Sequence, residues 1–267
     1  MLANSPAAAR SNLPAASPNL RGRDPYDAAV DKFNFQSRVS NPEFWRRIGA
    51  ADFSGCRVMD FGSGLGALSV DIARRGAREV VAVDIDQGRL DFARKHIALA
   101  HPEVADRISF RNPDRGRVVG PFDCIVAKDA FEHVDDVAGT LANMHALLRP
   151  GGLLLTGFGP LYFSPFGDHG RFLGRLPWLP VLLPESMLLA IARRRWRQHI
   201  ESVQDLGLNK LSPREFRELI RPDCWDVVMV EYNQRIRHAG RLFDWLRRRA
   251  ALEKYFTVNI YAQLRRR

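Results

Sequence analysis

From Cys56 onward, short apolar runs alternate with amphipathic segments of helix length. This alternation is typical of a parallel β-sheet covered by helices on both faces, so the sequence predicts an α/β fold. The predicted strands are residues 57–61, 79–83, 107–110, 122–127 and 153–158. The predicted helices are 66–75, 87–100 and 135–148, and the last of these ends before Pro150 because proline cannot continue a helix.

The alternation breaks after the fifth strand. Residues 159–209 contain prolines, aromatic residues and leucines without a strand and helix rhythm, so we interpret them as an insertion. A capping box at Ser212 to Glu215 then predicts a helix to about Ile220. Two further strands are predicted at 225–232 and 255–264, and one or two helices at 26–48, broken at Pro42.

Composition indicates the domain limits and the compartment. Residues 1–23 are rich in Ala, Ser, Pro and Asn and lack the pattern of a secretory signal, which predicts a disordered leader before one domain over 24–267. The chain has three scattered cysteines and no Cys/His cluster with ligand spacing, so we expect no metal site and a reducing, cytoplasmic compartment. No uncharged apolar run reaches the roughly 20 residues that cross a bilayer.

The formal net charge of +10 raises the question of a polyanionic partner. The arginines are dispersed along the chain, however, and aromatic residues for base stacking are not interleaved with them. Nucleic acid is therefore not the predicted partner, although an RNA substrate stays an alternative on charge alone.

A glycine turn lies between the first predicted strand and the first predicted helix. Gly62, Gly64 and Gly66 allow backbone N–H groups to approach a ligand closely, because glycine has no Cβ. The stretch from Gly62 to Ala67 also satisfies the Gly-x-Gly-x-x-Ala fingerprint of nicotinamide enzymes, so an NAD-dependent oxidoreductase is a second alternative.

Two carboxylates help to separate these interpretations. Asp84 ends the second predicted strand, about 20 positions after the first glycine. A carboxylate there can accept hydrogen bonds from the ribose hydroxyls of any nucleoside cofactor, so Asp84 does not distinguish between them. Asp60 directly precedes the glycine turn. A carboxylate there would repel a pyrophosphate but could orient the cationic methionine part of a sulfonium donor. Asp60 therefore favours S-adenosylmethionine.

Four segments carry a family resemblance. The run from Val58 to Gly66 resembles motif I of the class I S-adenosylmethionine-dependent methyltransferases, and the run from Val83 to Asp86 resembles the acidic loop that follows it. The stretches 122–134 and 147–155 resemble the fourth strand with its loop, and the entry to the fifth strand, in the small-molecule branch of that family.

The resemblance implies a Rossmann-like, doubly wound, seven-stranded, mostly parallel sheet with an antiparallel last strand. It also implies roles for individual residues. Asp60 and the glycine turn with Ser63 would face the methionine part of S-adenosylmethionine, Asp84 the ribose, and Ile85 the adenine. Asn112 or Asp114 could bond the adenine amino group, while Lys128 and Asp129 would border the sulfonium and the acceptor.

Methyl transfer from a sulfonium is an in-line displacement, so the protein mainly aligns the acceptor and excludes water. A hydroxyl acceptor also needs a general base, for which His133, Asp168 and His169 are candidates. Structural support is an equally good interpretation of His133, and a solvated turn is one for Asp168 and His169. The sequence predicts methylation of a small or lipid-linked metabolite, with oxygen preferred as the acceptor atom.

The insertion 159–209 leaves the fifth strand at the carboxyl edge of the sheet, where ligands of open α/β folds bind. We therefore predict that it forms an acceptor site or lid, with Trp178 and its apolar neighbours as walls. Residues 172–197 could instead rest on an anionic membrane, since arginines follow the apolar stretch. Plain packing over the sheet is a third interpretation.

Overall fold

The computed structural model of the chain describes residues 24–49, 51–174, 176–220, 222–233 and 240–267. The leader predicted at 1–23 lies outside the described residues. Within the described part, one seven-stranded sheet carries helices on both faces. This architecture confirms the predicted α/β fold.

The sheet has the strand order β3-β2-β1-β4-β5-β7-β6. Five strands from β1 to β5 pair in parallel, and β7 pairs antiparallel with both β5 and β6. The last strand is therefore antiparallel to the other six, as the resemblance implied. The strands are β1 Arg57–Phe61, β2 Glu79–Val83, β3 Ile108–Arg111, β4 Phe122–Lys128, β5 Leu148–Phe158, β6 Trp225–Tyr232 and β7 Ile260–Arg266.

The described helices are α1 Pro25–Phe35, α2 Asn41–Ile48, α3 Ala67–Arg74, α4 Gln87–Ala100, α5 Pro102–Ala105, α6 Val137–Leu147, α7 Leu179–Leu182, α8 Glu185–Trp196, α9 Pro213–Leu219, α10 Gly240–Arg247 and α11 Glu253–Phe256. A π-helical turn, Gln36–Ser40, joins α1 to α2. None of the helices in the described ranges combines the length and the apolarity needed to cross a bilayer.

Two apolar cores sandwich the sheet because its central strands are buried on both faces. On one face, the aromatic residues Phe33, Phe44 and Trp45 of the N-terminal helices pack with side chains of α3 and α4. This packing holds α1 against α4, as the contact between the rings of Tyr26 and Phe92 shows (5.3 Å between centroids). The other face is covered by α6 and α9.

Most boundaries lie within two residues of the predicted ones, and three places need comment. The strand β5 begins at Leu148 rather than at residue 153, because Leu148 already pairs with Phe122 ahead of a register shift. The strand β7 begins at Ile260, since residues 253–256 form α11. At Asn41-Pro42, where a break was predicted, α2 begins directly after the π-helical turn without leaving helical backbone angles, and Pro42 occupies its first turn, where proline is tolerated.

The predicted insertion has a small core of its own. Ten buried side chains form it: Tyr162, Phe172, Leu179, Leu188, Leu189, Ala192, Ile200, Val203, Leu206 and Leu208. Its end is tied to the loop after β4, because the amide of Asn209 donates to the carbonyls of Phe131 and Val134, each at 2.6 Å. The insertion is therefore fixed beside the carboxyl edge of the sheet.

Candidate functional site

Three neighbouring strands end together at the carboxyl edge of the sheet. Phe61 of β1 lies in register with Val83 of β2 and with Ala127 of β4. The loops that follow these strands surround two adjoining cavities. Since parallel strands bring their following loops to one edge, the site is a direct consequence of the predicted topology.

The first cavity, about 190 Å³, is called here the apolar cavity. Its lining is formed by Phe61, Gly62, Val83, Asp84, Ile85, Arg89, Pro113, Asp129, Ala130, His133, Val134, Gln204, Asp205 and Gly207. The second, about 320 Å³, is called the polar cavity. It is lined by Lys32, Gln36, Asn41, Asp60, Gly62, Ser63, Gly64, Leu65, Leu68, Arg89, Lys128, Asp129, His133 and Arg171.

The glycine turn separates the two cavities and needs its glycines for different reasons. Gly62, Gly64 and Gly66 all have positive φ, at 72°, 54° and 84°. A Cβ on Gly66 would lie 2.8 Å from the side chain of Ile97, so this glycine allows the turn to pack on α4. A Cβ on Gly64 would meet nothing closer than the carbonyl of Gly62 at 4.0 Å, because it would point into open space.

Asp60 is a buried carboxylate at the floor of the polar cavity. Its Oδ2 accepts a hydrogen bond from Ser69 Oγ at 2.5 Å, while its buried Oδ1 has no partner among the described residues. Burial raises the pKa of Asp60 to about 7, against the opposing effects of Ser69 and the Lys128 charge. The hydroxyl of Ser63 is also buried without a partner. Buried polar atoms are normally satisfied, so these two are suited to a polar ligand.

Asp84 fixes the shape of the neighbouring loop. Its two carboxylate oxygens accept the backbone N–H groups of Gly64, at 2.7 Å, and of Asp86, at 2.8 Å. Asp84 is 7% exposed and borders the apolar cavity. Because each carboxylate oxygen can accept more than one hydrogen bond, Asp84 can hold this loop and still bind hydroxyl groups.

Ile85 stands 40% exposed at the edge of the apolar cavity, where an adenine face was predicted. The side chain of Asn112 donates to the carbonyl of Ile85 at 3.0 Å, and accepts the backbone N–H of Asp114 at 2.9 Å. Asn112 thus supports the loop. The lining includes Pro113 but not Asp114, so the structure does not bring Asp114 into either cavity.

Lys128 and Asp129 follow β4 and border the polar cavity. They form an ion pair, with Lys128 Nζ 2.8 Å from Asp129 Oδ2. The lysine side chain is 8% exposed, whereas the aspartate is 53% exposed. Asp129 also borders the apolar cavity and therefore lies where the two cavities meet.

His133 lines both cavities, and its ring lies edge-to-face with that of His169. Solvent reaches the His133 ring from within the cavities, but the surrounding protein removes most bulk water, and this desolvation lowers its pKa. His169 lies in the insertion, and burial together with the neighbouring His133 lowers the pKa of His169 to about 4.

Asp168 differs from the two histidines because it is fully buried and lines neither cavity. Burial raises its pKa, although the backbone N–H groups of Gly170 and Phe172 lie close enough to oppose the rise. Neither carboxylate oxygen has a well-formed hydrogen bond to a described residue. The position favours support of the loop over contact with a substrate, and a catalytic role for Asp168 stays a prediction.

Several residues that line the site were not predicted from the sequence. Lys32, Gln36 and Asn41 come from the N-terminal helices, Arg89 from the first turn of α4, and Arg171 from the insertion. No motif marks these positions, and only the packing of α1 over α4 brings the N-terminal group to the site. An aromatic wall at Trp178 was predicted instead, but its ring packs on Phe256 and Phe243, and its Nε1 donates to the carbonyl of Tyr255.

Metal ligands are not brought together at this site. Among the residues that the structure describes, no group of three or more His, Cys, Asp or Glu side chains has an arrangement that could hold a metal ion. The cavities thus offer backbone N–H groups, carboxylates, cations and imidazoles as their polar functions.

The chain is similar to curated methyltransferases. The methyltransferase domain family Methyltransf_12 matches residues 59–154. A ubiquinone biosynthesis O-methyltransferase of Azotobacter vinelandii is 30% identical over 200 residues, which cover 69% of this chain and 72% of that protein. A magnesium-protoporphyrin O-methyltransferase of Rhodobacter capsulatus is 31% identical over 139 residues, which cover 51% of this chain and 60% of that protein.

Solved structures share the fold. An S-adenosylmethionine-dependent methyltransferase of Mesorhizobium loti superposes with a TM-score of 0.54 at 19% identity, covering 84% of this chain and 96% of that one. A structure from Listeria monocytogenes, described in similar terms, has a TM-score of 0.55 at 13% identity, covering 85% and 99%. At these identities the likeness concerns the fold alone. The Azotobacter match, 30% identical and covering 72% of that protein, shows that this chain belongs to the S-adenosylmethionine-dependent methyltransferase family.

Proposed function

We propose that this protein transfers the methyl group of S-adenosylmethionine to an oxygen atom of a small molecule that binds in the polar cavity. One observation carries the proposal: the apolar and polar cavities meet at Asp129 and His133, on either side of the glycine turn. When bound, S-adenosylmethionine supplies a methyl group on a positively charged sulfur. The two curated O-methyltransferase relatives support oxygen as the acceptor atom.

The donor half of the proposal rests on chemistry that this chain presents. Asp60 Oδ1 and Ser63 Oγ are buried atoms that lack partners, and Gly64 leaves open space, so these residues fit the polar methionine part of the donor. Asp84 would bind the ribose hydroxyls, and Ile85 would contact one face of the adenine. Gly62 and Gly66 shape the turn. Lys128 and Asp129 would border the sulfur, while the adenine contact assigned to Asp114 needs a shift of its loop.

The acceptor half assigns the general base to His133. The Nδ1 of His133 lies 2.5 Å from the carbonyl oxygen of Gly207, which can only accept, so the proton is on Nδ1 and Nε2 carries the free lone pair. A lowered pKa keeps that lone pair available at neutral pH. His169 would act as a positioning residue beside it, and Asp168 as a support of the loop that carries His169.

The insertion 159–209 would close the site on both sides, since Arg171 lines the polar cavity from it and Gln204, Asp205 and Gly207 line the apolar cavity. A peripheral membrane contact through 172–197 is supported by exposed apolar side chains, among them Leu182 (70% exposed) and Met187 (50% exposed), next to three basic residues at the end of α8. A lipid-linked acceptor would fit such a contact. The cytoplasmic location stays a prediction.

Neither alternative from the sequence gains support from the described site. The curated relatives are named for small-molecule acceptors, and Asp60 stands where an NAD pyrophosphate would have to approach. An RNA methyltransferase rests on net charge alone, and an oxidoreductase on the glycine spacing alone.

The test has a binding arm and an activity arm. Calorimetry should show that the purified protein binds S-adenosylhomocysteine and does not bind NADH. Incubation with methyl-labelled donor and fractionated small-molecule extract should then label one fraction with a base-labile or ether-linked methyl group on oxygen. Absence of S-adenosylhomocysteine binding would contradict the donor assignment, and label on nitrogen or carbon alone would contradict the acceptor atom.

A further inference from the structure

The polar cavity contains four cationic side chains from four separate parts of the chain. Lys32 comes from α1, Arg89 from α4, Lys128 from the end of β4 and Arg171 from the insertion. Two of them are paired with carboxylates: Lys128 with Asp129 at 2.8 Å, and Arg89 with Asp86 at 3.3 Å. Such pairing neutralises their charge locally.

The other two cations differ from these. Among the residues that the structure describes, neither Lys32 nor Arg171 forms an ion pair with a carboxylate, and the buried Nε of Arg171 has no hydrogen-bond acceptor. The charge of Asp168 reaches Arg171, but the two groups are not in ion-pair contact. Partial loss of solvent and the nearby charge of Arg89 lower the pKa of both Lys32, which is exposed on one side, and Arg171, which is half-buried.

A cation whose donor atom is buried without a counter-ion, as Arg171 Nε is, destabilises the folded protein unless a ligand supplies the opposite charge. S-adenosylmethionine has a single carboxylate, on its methionine part. Lys32 lines the polar cavity together with Gln36 and Asn41 of the N-terminal helices, and its charge interacts with that of Asp84. Lys32 is therefore placed to bind the carboxylate of the donor. Arg171 is then left without a partner even when the donor is bound.

Arg171 lies on the acceptor side. Its charge acts on both His133 and His169, so the guanidinium is near the pair to which the proposed function assigns the acceptor oxygen. We infer that the acceptor of this enzyme carries an anionic oxygen group, a carboxylate or a phosphate, which the Arg171 guanidinium binds in the polar cavity. This inference rests on the proposed function and specifies its substrate class.

Arg171 is suited to this role by its geometry. A guanidinium presents paired N–H donors that match the two oxygens of a carboxylate or phosphate, which a lysine cannot do. The main chain of Arg171 is held independently of the side chain, because its N–H donates to the carbonyl of Asp168 and its carbonyl accepts from Trp196 Nε1. Replacing the side chain should therefore leave the loop in place.

The test uses the full chain saturated with S-adenosylhomocysteine and three probes of one shape: benzoate, phenyl phosphate and phenol. Calorimetry should show that at least one anionic probe binds at least about ten-fold more tightly than phenol. The anionic probe with the higher affinity identifies carboxylate or phosphate as the preferred group.

The Arg171 variants test which side chain binds the anion. Arg171→Gln should abolish the preference for the anion and leave S-adenosylhomocysteine affinity unchanged. Arg171→Lys should retain part of the preference for the anion. Arg94→Gln, an exposed arginine outside the polar cavity that pairs with Asp91, is the control.

Three outcomes would overturn the inference. One is equal binding of all three probes by the wild-type protein, and another is an anion preference that survives in a folded Arg171→Gln variant. The third is a swap, in which Arg171→Gln weakens S-adenosylhomocysteine binding and Lys32→Gln removes the anion preference. If the wild-type protein fails to bind S-adenosylhomocysteine, the proposed function fails at that first step, before the probes are compared, and the inference fails with it.

Discussion

The imidazole rings of His133 and His169 lie edge-to-face with their centroids 5.3 Å apart, although they come from segments on opposite sides of β5 in the chain. Each ring donates one N–H to a backbone carbonyl: His133 Nδ1 to Gly207 and His169 Nε2 to Pro160. The tautomers are therefore complementary, and each ring keeps one nitrogen as an acceptor. Desolvation lowers both pKa values, so the pair is neutral at neutral pH.

The first prediction concerns the general base. His133→Gln should lower kcat by about 100-fold or more, since the amide cannot accept the proton of an attacking hydroxyl. His169→Gln should have a smaller effect on kcat. Both variants should bind S-adenosylhomocysteine like the wild type, because neither ring is assigned to the donor.

The pH profile of kcat gives the matching readout. The base must be neutral to act, and its pKa lies below the ordinary value of 6.5. The midpoint of the decline in the wild-type rate should therefore lie below pH 6.5, whereas the residual rate of His133→Gln should lack that decline. A normal kcat in the His133 variant with the native acceptor would remove this residue from the mechanism.

The second prediction tests the glycine turn. Gly64→Val should abolish S-adenosylhomocysteine binding, because a branched side chain would enter the space that the turn leaves open. Gly55→Val is a matched control: Gly55 also has positive φ, at 72°, and also has nothing within 4 Å of an added Cβ. Both variants should lose similar stability in thermal unfolding, and only the first should lose binding. Equal affinities would place the donor elsewhere.

The third prediction concerns Asp84. Asp84→Ala should weaken S-adenosylhomocysteine binding by about 1.5 to 3 kcal/mol, the range of a hydrogen bond to a charged group. It should also lower the free energy of unfolding, since the backbone N–H groups of Gly64 and Asp86 lose their acceptor. Asp136→Ala removes a carboxylate that caps α6 and lines neither cavity, and it should cost stability with little change in affinity. Calorimetry and urea unfolding of both variants separate the two effects.

Local patterns in the sequence were sufficient for the sheet and for the glycine turn with its two neighbouring carboxylates. The strands β1, β2 and β6 and the helix α4 have the predicted bounds, since each is a periodic segment with clear ends. The capping box at Ser212 is also formed as predicted. Asp60, Gly64 and Asp84 could be identified because they stand at fixed distances from strand ends, which the fold converts into positions around one turn.

The acceptor side could not be predicted in the same way. Lys32 reaches the polar cavity only because aromatic residues pack α1 on α4, and Arg171 only because Asn209 ties the end of the insertion to the loop after β4. Both depend on contacts between distant segments. Hydrophobicity was also misleading at Trp178, which looked like a pocket wall and instead contributes to packing between the insertion and the helices near the C-terminus.

The fourth prediction uses Glu132, which is buried beside the site. Its Oε1 accepts the N–H of Gly159 at 3.2 Å, while its Oε2 is buried without a partner. Burial, with the nearby Asp129 charge, raises the pKa of Glu132 to about 8. The folded pKa lies above the unfolded value of 4.5, so this group stabilises the fold at low pH, and that contribution is lost as the pH rises towards 8.

Glu132→Gln keeps an acceptor for Gly159 and removes the titration. Its free energy of unfolding should fall less than that of the wild type when urea unfolding at about pH 5 is compared with about pH 8. Glu231→Gln, an exposed glutamate on β6, should keep the wild-type pH dependence. A Glu132 variant with the wild-type slope would show that this carboxyl is already ionised in the folded protein at low pH.

The fifth prediction concerns Asp60, whose pKa is raised to about 7 by burial at the floor of the polar cavity. Bound donor or S-adenosylhomocysteine brings the ammonium group of its methionine part towards this carboxyl, and a positive charge favours the ionised form. Binding below pH 7 should therefore release a proton from Asp60. The affinity should rise with pH until the group is ionised in the free protein, and then level off.

Calorimetry at about pH 6 in two buffers of different ionisation enthalpy should give different apparent binding enthalpies, and at about pH 8 the two buffers should give the same enthalpy. Asp60→Asn should remove the buffer dependence and lower the affinity at high pH, while Asp106→Asn, at an exposed position after α5, should leave both unchanged. Buffer-independent binding by the wild type at the lower pH would mean that Asp60 does not meet the positive charge of the ligand, and the orientation of the donor along the glycine turn would have to be reversed.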